Sequence, residues 1–453
     1  MDKLTGKIIF TGDIITTSPI IIGTGKGELV DSEIMKGYDK NIPYIPASSF
    51  IGALRNYFYS EADLKDINKT QLDYFWGSEN TNGKFFQSHF IIDDLILKNE
   101  PLITVRDGIK INNKGIAESG KKYEYEILEP GAEFSLYGEI TIRDGFYKNL
   151  FLQVIKTIIE DLKNEKIYIG ALTTKGFGRI KLKDEKIYQF NFPEDTNKWL
   201  EFRKSENWQT IEQKNQINKN WEEIKPLNKK SKKDIIIEAT FSLKNSLIIG
   251  SYTGDSDKSH LKSKGSPILS GTSIKGTIRN RAVKIIKTLG GDEKFLDELF
   301  GWAEEKSDKE PIKSKVIFEE SIIENVEEKE QKRIKIDRFT GGVIQHLLFE
   351  SKPIWHKDER IKIRIKITDY CNWEVGLILL VLKDLWNEDL PIGGEKNIGR
   401  GVLRGIEAEI NAGDKKITIR QEGENLEVSN EDKEELENYV NAFLKKIGVK
   451  NGQ

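Results

Sequence analysis

Cysteine and histidine are scarce in this chain of 453 residues. It has one cysteine, Cys371, and four histidines, His89, His260, His346 and His356, which lie far apart in the sequence. A single cysteine excludes an internal disulfide, and the few histidines do not supply the paired ligands of a zinc knuckle. We therefore expect neither a disulfide nor a zinc site.

Long apolar runs are also missing. No stretch of 18 or more apolar residues occurs, so no membrane span is expected. The chain begins MDKLTGKIIF, which lacks the basic start and apolar run of a signal peptide. The formal net charge of -2 gives no whole-chain attraction to nucleic acid or membrane. We expect a cytoplasmic protein without a membrane partner, in which any nucleic-acid binding depends on local basic clusters.

The chain does contain internal repetition. Four landmarks recur in the same order: an apolar strand ending at Gly23 and at Gly250, a hydroxyl-rich helix start at 46–55 (PASSFIGALR) and 270–279 (SGTSIKGTIR), TVRDGI at 104–109 and KIDRFTGG at 335–342, and KGFGRI at 175–180 and KNIGRG at 396–401. The separations of the four pairs agree to within a few residues. This collinearity predicts two copies of one domain.

Each copy has the same predicted order of elements. At 235–243 apolar residues alternate with polar ones, which is typical of a half-buried strand. A hydroxyl-capped helix, several strands and an amphipathic helix follow, the last with apolar residues spaced three and four apart at 151–162 and 377–386. A short strand then leads into a glycine-rich loop. The order predicts an α+β protein with two tandem ferredoxin-like or RRM-like domains, each built on an antiparallel sheet.

The expected domain boundaries follow the repeats, with the first domain at 1–185 and the second at 234–453. The connection at 186–233 contains three tryptophans and the basic run KKSKK. Because this aromatic content argues against a free linker, we expect part of it to pack as a helix. Residues 303–335 are almost entirely charged, which predicts a mobile hairpin or loop inside the second copy.

The repeated helix starts and glycine loops each have two interpretations. Serine or threonine at a helix start caps free N–H groups, but those groups, with a nearby cation, also bind phosphate. Glycine allows tight turns, and it also lets a phosphate backbone approach the main chain. Because both features occur in both copies, we favour phosphate binding. The candidate residues are Ser48, Ser49, Arg55, Lys175, Arg179, Thr272, Ser273, Lys275, Arg279, Arg338, Lys396 and Arg400.

Loop aspartates are the candidate catalytic residues. Asp31 follows the first apolar strand, and a carboxylate beside an RNA strand can bind Mg²⁺ or accept a proton from a 2′-hydroxyl. The same residue can equally be a solvated surface charge. In the second copy, counting back from residues 261–262 selects Asp257, whereas counting back from Pro267 selects Asp255. The sequence leaves both open.

Each half resembles the RAMP (repeat-associated mysterious protein) superfamily, and specifically the backbone subunits of type III CRISPR effector complexes. The segments that carry the resemblance are PIIIGTGKG, DSEIM, YIPASSFIGALR and KGFGRI in the first copy, and LIIGSYTG, PILSGTSIKGTIR, KIDRFTGG and GGEKNIGRG in the second. The resemblance implies RRM-like domains that polymerise along a CRISPR guide RNA, grip its backbone and kink it with a protruding thumb hairpin. A fused pair is similar to type III variants whose backbone subunits are joined.

The resemblance also implies an activity, a cofactor and partners. In the family, a loop aspartate fifteen residues before the proline of the helix start cuts the paired target RNA, and Asp31 lies at that distance from Pro46. The implied cofactor is Mg²⁺ or another divalent cation, with Asp31 and Asp257 as its possible ligands. The implied partners are guide RNA, complementary target RNA and other subunits of the type III complex. The second copy departs from the pattern because its loop is shorter and offers two aspartates.

Three functions compete on this basis. The first is a guide-RNA-binding subunit that also cleaves target RNA as a metal-dependent endoribonuclease. The second is a purely architectural subunit without catalysis, which Asp31→Ala would distinguish from the first. The third is a guide-processing endoribonuclease, but such enzymes usually depend on a histidine, and none lies in the helix start or glycine loop of the first copy.

Overall fold

The computed structural model describes residues 3–25, 31–37, 41–79, 85–112, 117–144, 148–204, 221–251, 257–302 and 310–448. Among these residues, no helix is long and apolar enough to cross a membrane.

The first repeat folds around one antiparallel sheet. Its elements are β1 (Leu4–Thr16), β2 (Tyr44–Ile45), α1 (Ala47–Glu61), α2 (Lys69–Trp76), β3 (Ser78–Glu79), β4 (Phe85–Phe86), β5 (Phe90–Ile92), β6 (Leu95–Leu97), β7 (Ile103–Ile111), β8 (Ala117–Leu128), β9 (Glu133–Arg143), α3 (Lys148–Lys163), β10 (Ile180–Asn191) and α4 (Thr196–Lys204). The sheet order is β10-β1-β9-β6-β2, with β5 also paired to β9. Strand β1 is therefore central, as the first strand of a ferredoxin-like fold must be.

Both faces of this sheet are covered. Helix α1 buries Phe50, Leu54 and Phe58, which recur every four residues and therefore share one helix face. They pack with α3 in the main core of the repeat. On the opposite face, Ile9 of β1 packs with Phe202 of α4 in a second, smaller core. The connection between the repeats thus contains a packed helix, as its aromatic content indicates.

The second repeat has the same plan with a C-terminal extension. Its elements are β11 (Ile235–Leu243), β12 (Ser246–Leu247), β13 (Gly250–Ser251), β14 (Lys258–His260), β15 (Lys262–Ser263), β16 (Ser266–Leu269), α5 (Gly271–Thr288), α6 (Leu296–Phe300), β17 (Val316–Phe318), β18 (Ser321–Ile322), β19 (Glu327–Glu328), β20 (Gln331–Ile336), β21 (Val343–Lys352), β22 (Ile354–Trp355), β23 (Ile361–Ile367), α7 (Asn372–Trp386), β24 (Leu403–Ala412), β25 (Lys415–Glu422), β26 (Asn425–Glu427) and α8 (Asn430–Lys446). The main sheet runs β17-β23-β11-β24-β25-β26. The predicted α+β fold with two ferredoxin-like domains is confirmed.

The extension closes the helical layer of the second repeat. Helix α8 buries Tyr439 and Phe443 against α7. The two helices approach closely at Gly376, where a Cβ atom would lie 2.1 Å from the carbonyl oxygen of Tyr439. Only glycine fits there, so the backbones of α7 and α8 are in direct contact at this point.

The compact units of the chain do not follow the repeat boundaries. One unit comprises residues 1–104, 126–171 and 178–231, and the other comprises 105–125, 172–177 and 232–453. Most of the β7–β8 hairpin and a short loop of the first repeat therefore belong to the second unit. Inside that unit, Arg106 of the hairpin forms a buried ion pair with Glu320, at 2.5 and 3.2 Å. Arg106 also lies over the ring of Phe177.

Residues 310–335 of the charged stretch contain more regular structure than their composition predicts. Residues 310–335 contribute strands β17, β18 and β19 and most of β20, and β17 pairs with β23 in the main sheet. Val316 and Phe318 are fully buried. Two alternating apolar residues of this charged stretch thus enter the core, and its last residues form the first strand of the β20–β21 hairpin. Residues 303–309 lie outside the described part of the chain.

Candidate nucleic-acid interface

The two helix starts correspond residue for residue, as the sequence predicts. Helix α1 begins after Pro46 and α5 begins after Ser270, so the hydroxyl pairs lie in the first turn of both helices. In α5, the capping role belongs to Ser270, which accepts a hydrogen bond from the backbone N–H of Ser273. In α1 the first N–H group donates to Asp94 at 2.7 Å. Ser48 and Ser49 of α1 are exposed, whereas Thr272 and Ser273 of α5 are half-buried.

Lys275 of α5 is a buried cation without a carboxylate partner among the described residues. Its side chain is 8% exposed, and its ammonium donates to Ser314 Oγ at 2.8 Å and to Thr174 Oγ1 at 3.0 Å. Burial, together with the nearby charges of Lys175 and Arg279, lowers the pKa of Lys275 to about 7. Two hydroxyls do not neutralise an ammonium, so the positive charge remains available to an anion.

Lys175 reaches the same place from the glycine loop of the first repeat. It ends a short helical turn at Thr173–Lys175, and α5 begins directly against that turn. A Cβ atom on Gly271 would lie 2.2 Å from the carbonyl oxygen of Lys175, so glycine permits this approach. Burial lowers the pKa of Lys175 as well. We call the group formed by Lys175, Lys275 and Arg279 the basic site; all of it lies in the second compact unit.

The glycine loops of the two repeats are equivalent in the structure, but their alignment is shifted by two residues from the alignment of KGFGRI with KNIGRG in the sequence. One backbone hydrogen bond closes each loop: Ile169 N donates to Gly178 O at 2.8 Å, and Ile392 N donates to Gly401 O at 2.9 Å. Gly178 therefore corresponds to Gly401 rather than to Gly399. The predicted match is wrong because each loop contains two glycines with the same spacing, and the sequence alone does not say which pair is equivalent.

This alignment changes the role that we assign to Arg400. It occupies the position of Phe177 and is buried in the same way, at 2% exposure against 1%. Its guanidinium donates to Glu395 Oε2 at 2.8 Å and to Ser246 Oγ at 3.0 Å. It also lies over the ring of Trp355. Arg400 is thus an internal packing residue in this structure, unlike the surface cation that the sequence match suggests.

The other predicted cations are more accessible. Arg179 is half-buried, with its Nε donating to Thr17 Oγ1 at 3.2 Å. Arg55 stacks over Tyr59 on the surface of α1. Lys396 and Arg338 are exposed, in the glycine loop and at a hairpin tip respectively.

The β20–β21 hairpin carries a fixed turn with an exposed aromatic residue. Asp337 Oδ1 accepts hydrogen bonds from the backbone N–H groups of Phe339 and Thr340, at 2.9 and 2.8 Å, and these bonds lower the pKa of Asp337. Phe339 is 99% exposed. The corresponding sequence landmark is not equivalent in space, because TVRDGI lies inside β7 while KIDRFTGG forms this tip. The similar residues of these two segments therefore do not form equivalent turns.

The loop aspartates are equivalent in backbone register. One pairing recurs after the apolar strands: Gly23 pairs with Ile34, and Gly250 pairs with His260. Each second partner follows an aspartate by three residues, Asp31 in the first repeat and Asp257 in the second. This register favours Asp257 of the two alternatives, and Asp255 lies outside the described residues. Asp31 and Asp257 are both exposed.

Both loops run beside the second strand of a hairpin. In the first repeat the backbone N–H of Glu126 donates to Ser32 O at 2.9 Å. In the second, the N–H of Glu350 donates to Asp257 Oδ2 at 2.9 Å. Within the described residues there is no group of three or more histidine, cysteine, aspartate or glutamate side chains that could hold a metal ion. A single carboxylate beside RNA phosphates does fit Mg²⁺, which keeps few protein ligands.

Sequence reasoning missed the hydroxyl partners of Lys275 and the exposed Phe339. Thr174 and Ser314 are far from Lys275 in sequence and carry no motif, so only the fold could reveal them. Phe339 did have a signal, since it is an aromatic residue between a charged residue and the turn sequence TGG.

The chain matches the family model of the RAMP superfamily over residues 13–181 and 240–404. No curated protein matches it significantly. The two matched regions fall in the two repeats and together cover more than half of the chain, leaving the connection and helix α8 outside. RAMP proteins are generally CRISPR-associated and bind RNA. On this evidence the chain belongs to the RAMP superfamily, as a tandem of two RAMP domains.

Proposed function

We propose that this protein is a guide-RNA-binding backbone subunit of a type III CRISPR ribonucleoprotein, which positions complementary target RNA and cleaves it at regular intervals. The observation that carries RNA binding is the basic site, where buried Lys275 is held by hydroxyls instead of carboxylates. A structural lysine at this depth would normally have a carboxylate partner, because burying an unpaired charge is costly.

A phosphate group is the ligand that suits the basic site. Its negative charge would favour the protonated form of Lys275, reversing the effect of burial. Lys275 also lies in the first turns of α5, where free N–H groups and the helix dipole attract anions. Both lysines present only donors, which suit phosphate oxygens, and contacts to phosphate carry no sequence information directly. Binding through the backbone, independent of sequence, matches the task of holding guides of many sequences.

Isolation of the native complex tests this function. The full-length protein, purified from native cells, should retain RNA whose sequences derive from CRISPR repeats and spacers. Sequencing of that RNA gives the answer directly. Recovery of no RNA, or of unrelated cellular RNA, would contradict a role in a CRISPR ribonucleoprotein.

For cleavage, we propose that Asp31 and Asp257 each orient one 2′-hydroxyl of the target RNA for in-line attack. The 2′-oxygen forms a bond to the adjacent phosphorus as the bond to the 5′-oxygen breaks. The hydroxyl proton passes to the carboxylate or to solvent, and the departing 5′-oxygen takes a proton from water. The products are a 2′,3′-cyclic phosphate and a 5′-hydroxyl. Mg²⁺ held by one aspartate and the RNA phosphates would supply charge neutralisation at the phosphate.

A purely architectural role is the second candidate. It is favoured by the hydrogen bond from the Glu350 N–H to Asp257, which gives that carboxylate a structural task in fixing its loop. Under this alternative the two aspartates shape the loops, the complex still binds its target, and no cut depends on either carboxylate.

A further inference from the structure

Four charged side chains meet at the base of the β20–β21 hairpin in the second repeat. Glu395 bridges two arginines: its Oε1 accepts from Arg333 Nη2 at 2.7 Å, and its Oε2 accepts from Arg400 Nε at 2.8 Å. The fourth side chain is Lys258, at the start of β14 and next to Asp257 in sequence. We call these four residues the Glu395 cluster.

The ammonium of Lys258 lies on the main chain of the glycine loop. A Cβ atom on Gly394 would lie 2.5 Å from Lys258 Nζ, and one on Gly250 would lie 2.7 Å from Lys258 Cε. The side chain therefore lies where a Cβ atom at either glycine would force it to move. Burial and the two arginines lower the pKa of Lys258, and Glu395 is the carboxylate that opposes this effect.

The Glu395 cluster carries more positive than negative charge. Three cations face one carboxylate, which leaves a surplus of two positive charges. Arg400 is buried and its hydrogen bonds are directed into the protein, so the surplus lies with Lys258 and Arg333, which are half-buried. Partly desolvated like charges repel each other, and a bound anion relieves that repulsion.

The described residues of the first repeat do not reproduce the Glu395 cluster at the equivalent positions. By the backbone register of the loops, Ser32 takes the place of Lys258, since each follows the loop aspartate. Leu172 takes the place of Glu395, and both have a positive φ of 57° before a short helical turn. With Phe177 in place of Arg400, this position of the first repeat carries no cation of its own, and the arginine that lies over Phe177, Arg106, is paired with Glu320.

We propose that Lys258 and Arg333 form a phosphate-binding site that takes one backbone phosphate of the bound RNA in the second repeat alone. The proposal rests on the proposed RNA-binding function and adds a contact that neither helix start supplies. Because Lys258 adjoins Asp257, the site would hold the RNA more firmly beside the second cleavage loop than beside the first. The phosphate belongs either to the guide or to the paired target strand.

Lys258→Met in the full-length protein tests the site, with Lys262→Met as the matched control. Methionine keeps the apolar stem over Gly250 and removes only the charge. Lys262 is an exposed lysine four residues away that forms an ion pair with Glu328 at 2.7 Å. Binding is measured with a single-stranded RNA and then with its complement, over a range of salt concentrations.

If the phosphate belongs to the guide, Lys258→Met should weaken binding of single-stranded RNA about tenfold. It should also reduce the magnitude of the log–log salt slope by about 0.7. If the phosphate belongs to the target, Lys258→Met should leave binding of the single strand unchanged and weaken capture of its complement by a similar factor. Gly394→Ala keeps the charge but displaces the ammonium, so it should reproduce the loss in part. The thermal stability of Lys258→Met without RNA should equal or exceed that of the wild type, because the substitution removes the repulsion between Lys258 and the two arginines.

Equal RNA binding by Lys258→Met and Lys262→Met on both probes overturns the site. A fall in stability without RNA that accounts for the whole binding loss also overturns it, since Lys258 would then be structural. These failures are distinguishable from failure of the proposed function. If the wild type binds RNA and Lys275→Met weakens that binding, only the Lys258 site is refuted.

Discussion

The ammonium of Lys275 in the second repeat donates a hydrogen bond at 3.0 Å to the hydroxyl of Thr174, a residue of the first repeat. The basic site is therefore assembled from the glycine loop of one repeat and the helix start of the next. Duplication supplied both parts, but only their combination within one compact unit places two cations side by side.

Lys275→Met should weaken binding of single-stranded RNA by roughly ten- to a hundredfold, because a charged hydrogen bond to phosphate is lost. The log–log salt slope should fall in magnitude by about 0.7. Fluorescence anisotropy at several salt concentrations measures both. Lys287→Met is the control, since Lys287 lies on the same helix, is exposed and pairs with Glu293 at 2.9 Å. Equal effects of the two substitutions would show that the position of the charge is unimportant.

RNA binding should also take up protons. The folded pKa of Lys275 is about 7, below its ordinary value of 10.5, so at pH 8 this lysine is largely neutral without RNA. A phosphate restores the charge, so affinity should fall as pH rises from 7 to 9. Calorimetry at pH 8 in buffers of different ionisation enthalpy should detect uptake of up to one proton at this residue, which Lys275→Met abolishes. The neighbour Lys175, whose pKa is also lowered, contributes in the same direction.

The same depressed pKa has a consequence for stability without RNA. Between pH 7 and 10.5 the unfolded chain binds a proton at Lys275 that the folded chain does not hold. Stability therefore rises with pH across this window, and the unfavourable burial of charge is fully present only below pH 7. Comparing the pH dependence of thermal unfolding in wild type and Lys275→Met isolates this contribution. Identical profiles would mean that Lys275 titrates normally.

The sequence predicted the architecture well because the periodicity of buried residues is local. The alternation of Ile235, Ile237 and Ala239 and the helix starts at 46–55 and 270–279 all appear in the structure where expected. Their physical cause is contained in a few neighbouring residues, so no knowledge of distant contacts was needed.

The loops were harder to predict because more than one alignment of the two repeats matches identical residues there. The alignment of the two glycine loops by sequence is shifted by two residues, and it made Arg400 equivalent to Arg179. The backbone hydrogen bond to Gly401 shows instead that Arg400 is equivalent to the buried Phe177. Likewise, the sequence predicted Lys275 only as one of twelve candidate phosphate-binding residues. That no carboxylate of the described residues pairs with it depends on which residues the fold brings near, and spacing along the chain carries no information about that.

Arg400→Met should separate packing from RNA contact. Removing the guanidinium leaves Ser246 without its partner and Glu395 with one arginine fewer, at a cost of about 3 kcal/mol in the free energy of unfolding. Chemical denaturation of the protein without RNA measures this loss. The salt slope of RNA binding should stay unchanged under conditions where the variant is folded. Unchanged stability combined with a smaller slope would instead make Arg400 a phosphate ligand.

Phe339→Ala should reduce RNA binding without changing stability, because the ring is 99% exposed and packs on nothing in the described protein. Stacking of one base on an aromatic ring contributes about 1–3 kcal/mol. A 2-aminopurine probe placed along the guide should report the stacked position, and Phe339→Tyr should preserve the signal. If the alanine variant binds RNA and quenches the probe like the wild type, the hairpin tip has no stacking role.

Asp31→Asn and Asp257→Asn should each remove one cut from the target RNA while guide binding is retained. Asparagine keeps an oxygen that can accept from the N–H of Glu350, so Asp257→Asn preserves the loop and removes only the charge. The two lost cuts should be separated by one backbone unit along the strand, because each repeat supplies one loop. Gel analysis of end-labelled target gives the positions, and a 2′-deoxy substitution at each cut should abolish cleavage there. If Asp257→Asn leaves its cut intact, Asp255→Asn tests the other candidate. Target that is bound normally and cut identically by all three variants would establish the architectural role instead.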